Sequence, residues 1–97
     1  MSARSGKAVP RLRLRLYVAG NAPNSVRAVA NVRAICDEHF PGGHDLEIVD
    51  LVLHPARALA DEIIVTPTLL KLAPLPAARV IGNLSDTPQV LVALGGK

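Results

Sequence analysis

The chain has 97 residues, 49% of them hydrophobic and 20% charged, enough apolar material for one small domain with its own core. Tyr17 and Phe40 are the only aromatic residues, so the core is aliphatic and no platform for stacking single-stranded nucleic acid is present. A single cysteine, Cys36, excludes an intrachain disulfide and fits a reducing, cytoplasmic setting. The N-terminus, MSARSGKAVP, has no apolar stretch of the signal-peptide kind, and no apolar run reaches the length of a membrane span.

Charge divides the chain unevenly. Residues 1–15 carry five Lys/Arg and no acid, whereas residues 16–97 carry six against eight Asp/Glu. Residues 1–10 therefore read as a basic, flexible arm ahead of a single domain at 11–97. The arm is expected to be a solvated tail; contact with nucleic acid through it is the weaker reading.

In RLRLRLYVAG, Leu12, Leu14, Leu16 and Val18 alternate with Arg11, Arg13, Arg15 and Tyr17, the pattern of a strand with one buried face. The turn GNAPN follows, and then NSVRAVANVRAICDEHF. Here Val29, Val32, Cys36 and Phe40, flanked by Ala28 and Ile35, form the inner stripe of a helix, with Arg27, Asn31 and Glu38 on its outer side. Asn24 or Ser25 is the expected cap, and PGG at 41–43 the stop. DLEIVDLVL (45–53) reads as a second strand, and strand–helix–strand spacing of this length predicts a right-handed parallel unit. HPARALADE (54–62) reads as a short helix with Pro55 at its first position. IIVTPTLLKL (63–72) reads as a strand interrupted by Pro67, and RVIGN (79–83) as its hairpin partner. In LSDTPQVLVALGGK, Asp86 followed by Gln89 is a helix-start signal and Gly95–Gly96 a helix end, although VLVAL would also suit a strand.

The resulting order, βαβαββα, is the thioredoxin-like arrangement of a four-stranded mixed sheet with helices on both faces. Its chemistry is missing. Enzymes of that fold place Cys-x-x-Cys at the first helix N-terminus, where dipole and free amides lower the thiol pKa. This chain has Asn21-Ala22-Pro23-Asn24 there. Cys36 lies far along the helix on its apolar stripe. Pro67 in VTPTL stands where such folds carry a cis proline. His39, His44 and His54 lack ligand spacing, Ser25 and Ser85 read as caps, and Asp61 and Glu62 are adjacent rather than paired across a helix face. No catalytic, metal or cofactor site is expected; insulin reduction would be the observation that revives a redox reading.

LRLYVAGNAPNSVRAV, DLEIVDLVLHPARALADEIIVTPTLLKLAP and ARVIGNLSD resemble the KaiB family of circadian-clock proteins across residues 12–94. The family pattern is close to LYVAGNTPNSVRA, a strand ending VIDV, then NP, ATPTLAK and RRIIGDLS. The resemblance implies a non-catalytic regulator that docks on the N-terminal ring of the hexameric ATPase and autokinase KaiC and alters its phosphorylation state and clock output. It implies further partners, KaiA or a sensor histidine kinase. It also implies two folds, a thioredoxin-like monomer that binds and a resting tetramer of order βαββααβ.

On that resemblance the KaiC-facing residues are Arg27, Leu53, Pro55, Ala58, Leu59, Asp61 and Glu62. The second-partner strand is Asp45, Glu47 and Val49, and the fold-determining positions are Asn21, Pro23, Pro67, Ala93 and Gly95. Two departures stand out. Ala93 replaces a family glycine in VLVALGG and the family's acidic-aromatic tail is not found, both favouring a helical last segment and the monomer; alanine gains about 1 kcal/mol over glycine in a helix. Glu47 and Glu62 stand where the family commonly carries lysine, which argues against KaiA as partner and toward a divergent KaiC. A signalling adaptor with other partners on the same fold is the alternative.

Overall fold

The computed structural model describes residues 11–95. The elements are β1 (Leu12–Val18), α1 (Pro23–His39), β2 (His44–Asp50), α2 (Arg57–Ala60), β3 (Thr68–Ala73), β4 (Ala78–Ile81) and α3 (Thr87–Ala93). The sheet order is β2-β1-β3-β4. β1 runs parallel to β2, with Leu14 opposite Leu46 and Leu16 opposite Ile48. β3 is antiparallel to both β1 and β4, and a bulge between Arg13 and Leu14 shifts its register against β1. This is the four-stranded thioredoxin-like sheet that the element order predicts. The basic arm at 1–10 lies outside the described residues.

Alternation in β1 builds the main core. Leu12, Leu14, Leu16 and Val18 pack with Leu69 and Val80 of the hairpin, with Ala28, Val32, Ile35 and Cys36 of α1, and with Val90 and Leu94 at α3. The stripe on α1 is displaced from the expected one: Ala28, Val32, Ile35 and Cys36 are buried, whereas Val29 and Phe40 are only partly so. The opposite sheet face carries a smaller cluster of Tyr17, Val49 and Leu70, with Leu51, Ile63 and Leu72 against it. Tyr17 is thus fully buried, although its neighbours in the alternation, Arg11 and Arg13, are exposed.

Several local expectations are corrected. The α1 cap is Ala22 with Pro23 in the first turn, and neither Asn24 nor Ser25 caps it. Ser25 is buried, and its Oγ instead accepts from the Ala19 N–H at 3.0 Å, closing the loop behind the helix. Asn31 does not face solvent alone: its Nδ2 donates to the Asn83 carbonyl at 2.8 Å and ties α1 to the segment before α3. β2 ends at Asp50 rather than residue 53, because Leu53 and His54 N–H groups turn back onto the Asp50 carbonyl. The helix expected over 54–62 is one turn at 57–60, and Pro55 precedes it rather than opening it. β3 begins only after Pro67, whose peptide bond with Thr66 is cis.

The last segment resolves as a helix. The Asp86 carboxylate accepts from the Gln89 N–H at 3.2 Å, the expected capping contact. Ala93 is its final residue, and Gly95 follows at φ +85°, in the left-handed region that suits a helix end. A side-chain carbon at Gly95 would stand 3.3 Å from Nζ of Lys71, the movable end of a long side chain, so it is the backbone conformation rather than space that calls for glycine there.

Candidate protein-docking surface

The carboxyl ends of parallel strands, and the turns leaving them, are where open α/β sheets present their binding groups. Here that end is built around Asp50. Its Oδ1 accepts from the N–H groups of Gly20 and Val52, both at 2.9 Å, and so fastens the turn after β1 to the turn after β2. Gly20 has φ +54°, and an added Cβ would touch Val52 at 3.5 Å. Asn21 and Pro23 lie exposed in this turn and in the first turn of α1. Where a redox enzyme would show two thiols, this end shows aliphatic side chains. Val26 in the first turn of α1 is 53% exposed, Val52 and Leu53 after β2 are 67% and 69%, and Ile64 before β3 is 92%. Leu59 on α2 is 81% exposed. Exposed apolar side chains grouped on so small a domain make this end the candidate surface for protein contact.

Of the residues named for the ATPase-facing surface, Arg27, Leu53, Pro55, Leu59 and Glu62 are exposed, and Ala58 is half-buried. Leu53 and Leu59 are therefore surface residues rather than core. Asp61 differs from the rest. Its Oδ2 accepts from the Tyr17 hydroxyl and from Arg15 Nη1, the latter at 2.9 Å. Arg15 Nε reaches Glu47 Oε1 at 2.7 Å, and Arg57 Nη2 reaches Glu47 Oε2 at 3.1 Å. Two carboxylates, two guanidiniums and a phenol thus form one network beneath the α2 segment. The sequence reading separated Glu47 from Asp61; Arg15 joins them.

The network sets its own charges. The Tyr17 hydroxyl, then Arg15, holds the Asp61 carboxyl below the usual carboxylate range. Arg15 and Arg57 lower Glu47 in the same way. Burial and the bond to Asp61 raise the Tyr17 phenol, which stays protonated and donates. None of this supplies a nucleophile or an unpaired acid.

The second-partner strand is split. β2 is an edge strand, with Asp45 and Glu47 on its exposed side. Asp45 is held by Arg11 through Nε and Nη2, both at 2.9 Å. Val49 is 2% exposed and packs with Tyr17 and Leu70, so it is a core residue and no partner reaches its side chain.

Cys36 is fully buried, and burial pushes its thiol up to about 11. No cluster of three or more His, Cys, Asp or Glu suited to a metal occurs among the described residues, and no helix there is long and apolar enough to cross a membrane. Neither Arg15 nor Asp50 carries a functional signal in the sequence alone. The alternation left Arg15 as one of three outward arginines, and only the register of β1 against β2 puts it beside Glu47.

The class is a thioredoxin-like module that carries Asn21-Ala22-Pro23-Asn24 in the turn where redox members carry thiols and exposes aliphatic side chains around it. Solved structures agree on the fold. Chloroplastic thioredoxin z superposes with a TM-score of 0.73 at 16% identity, covering 88% of this chain and 76% of that one. The N-terminal domain of Synechococcus elongatus SasA gives 0.67 at 24%, covering 88% and 87%. Sequence narrows the class. The KaiB domain model matches residues 15–95. The circadian clock oscillator protein KaiB of Synechococcus elongatus is 48% identical over 81 residues, covering 84% of this chain and 79% of that protein. The KaiB of Prochlorococcus marinus is also 48% identical, covering 84% and 68%. The chain belongs to the KaiB family.

Proposed function

We propose that the protein is a clock-type regulator that docks, without catalysis, on the ring of a KaiC-type hexameric ATPase and changes its phosphorylation state. The observation that carries this reading is the exchange of thiols for exposed aliphatic side chains at the end of the domain where a thioredoxin-like fold meets its partners. Val52, Leu53 and Leu59 supply the apolar contact, and Arg27 and Glu62 the charged rim, where sign sets partner choice and association rate. Because Glu47 and Asp61 are already engaged by arginines, the open face near β2 presents compensated charge. A partner evolved to meet lysine there is disfavoured, which selects against KaiA and leaves a sensor histidine kinase as the second partner, on the β2 edge at Asp45 and Glu47. The binding form is the monomer with α3 helical.

The test is co-elution with a KaiC-type hexamer in ATP. Wild type is expected in the hexamer fraction, and Leu53→Asp, which alters an exposed side chain, is expected to leave it while keeping its circular dichroism. Retention of Leu53→Asp at wild-type level overturns the placement of the surface, and absence of wild-type binding favours the adaptor reading.

A further inference from the structure

The α2 segment is held to the sheet in an unusual way. α2 is one turn with no buried residue, and from 57–63 only Ile63 packs against the second cluster. What fastens it is polar. Arg15 bridges Asp61 and Glu47, Glu47 holds Arg57, and the Tyr17 hydroxyl holds Asp61. From β4, Arg79 donates through Nη2 to the Asp61 carbonyl at 2.9 Å and through Nη1 to the Glu62 carbonyl at 3.3 Å. Arginines from two different strands thus meet at Asp61, and Arg79 holds its neighbour Glu62 as well.

Those two residues make the turn that ends α2. The Ile63 N–H reaches back to the Ala58 carbonyl at 2.8 Å and the Glu62 N–H to that of Leu59 at 3.3 Å. That pair of bonds needs a left-handed residue at position 62, usually glycine. Glu62 adopts it at φ +54°. A non-glycine residue persists there only when its surroundings over-determine it.

We propose that Arg15 and Arg79 are positioning residues that latch the 57–62 segment onto the sheet and so present Leu59 and Glu62 to the partner in one fixed arrangement. The latch is a property of the fold; its role in docking rests on the function proposed above. Arg15 works by geometry as well as charge, since its Nε and Nη1 address two separate carboxylates. A lysine has one nitrogen to divide between them.

The experiment compares Arg15→Lys, Arg15→Met, Arg79→Met and Arg33→Met, the last a control at an exposed position on α1. Amide hydrogen exchange of the free protein is read first, then the association rate with a KaiC-type hexamer. The Glu62 and Ile63 amides are expected to exchange at least tenfold faster in the three latch variants than in wild type or the control, while Leu16 and Leu69 amides in β1 and β3 stay protected. Association is expected to slow at least fivefold in the same three. Arg79→Met removes only donors to backbone carbonyls, so it remains informative if Arg15→Met fails to fold. Unchanged exchange at Glu62 and Ile63 overturns the latch. Faster exchange with wild-type association overturns the docking role alone. Faster exchange with no binding even by wild type overturns the proposed function, and the docking role with it, while the latch stands.

Discussion

Tyr17→Phe removes one oxygen from the network and leaves the ring in place. The phenol is fully buried, donates to Asp61 Oδ2 and approaches the Arg57 carbonyl at 3.4 Å. A hydrogen bond to a charged acceptor contributes about 1.5–3 kcal/mol. Asp61 keeps its contact with Arg15 at 2.9 Å and is partly reached by water, with 23% of its side chain exposed. The loss should therefore fall at about 1–2 kcal/mol. With a urea m-value of about 1–1.5 kcal/mol/M, the midpoint drops by ~0.7–2 M at unchanged m. The sign against pH follows from Asp61. Its carboxyl is lower in the folded protein than in the unfolded chain, so its contribution is complete above the unfolded value of about 4 and is lost as pH falls through the folded value. The gap between wild type and Tyr17→Phe should be full at pH 7 and narrow as pH drops below about 4. Urea titrations followed by far-UV circular dichroism at pH 7 and pH 3 measure both. A midpoint shift below about 0.3 M at pH 7, or an equal shift at both pH values, refutes the reasoning.

Cys36 should resist a thiol reagent at pH 8 in the folded protein and react at once in denaturing urea; rapid native labelling would contradict its burial and raised pKa. Glu62→Gly should stabilise the domain by about 0.5–1 kcal/mol in urea titration, because glycine adopts φ +54° without the Cβ penalty, and destabilisation would show that the strain is absent. Ala93→Gly should cost about 0.5–1 kcal/mol and weaken the helical chemical shifts over 88–94; extended shifts there in wild type would contradict the helix itself.

What the sequence made legible follows from what is local. Alternation in β1 and the Asp86–Gln89 spacing each report their own structure, and both elements are present. The motifs carrying the family resemblance also lie in contiguous stretches. Where long-range contact decides, the chain alone misleads. Ser25 is a strong cap by type, yet Pro23 opens the helix and Ser25 turns to Ala19. Residues 51–53 continue the aliphatic run of β2, but the carbonyl and carboxylate of Asp50 capture the following N–H groups and bend the chain away. Val49 sits on a strand assigned to a partner, and only the packing of Tyr17 and Leu70 shows it buried. The Arg15 network spans β1, β2 and the α2 segment, so no spacing within the chain announces it.

The most direct measurement is a time-resolved titration of the protein onto a KaiC-type hexamer with ATP. The account predicts saturable binding whose rate rises in proportion to protein concentration, as expected if the thioredoxin-like fold is itself the binding form proposed above. Binding that creeps in over minutes to hours at a rate independent of concentration would place the resting population in another fold. Absence of binding would contradict the docking function itself.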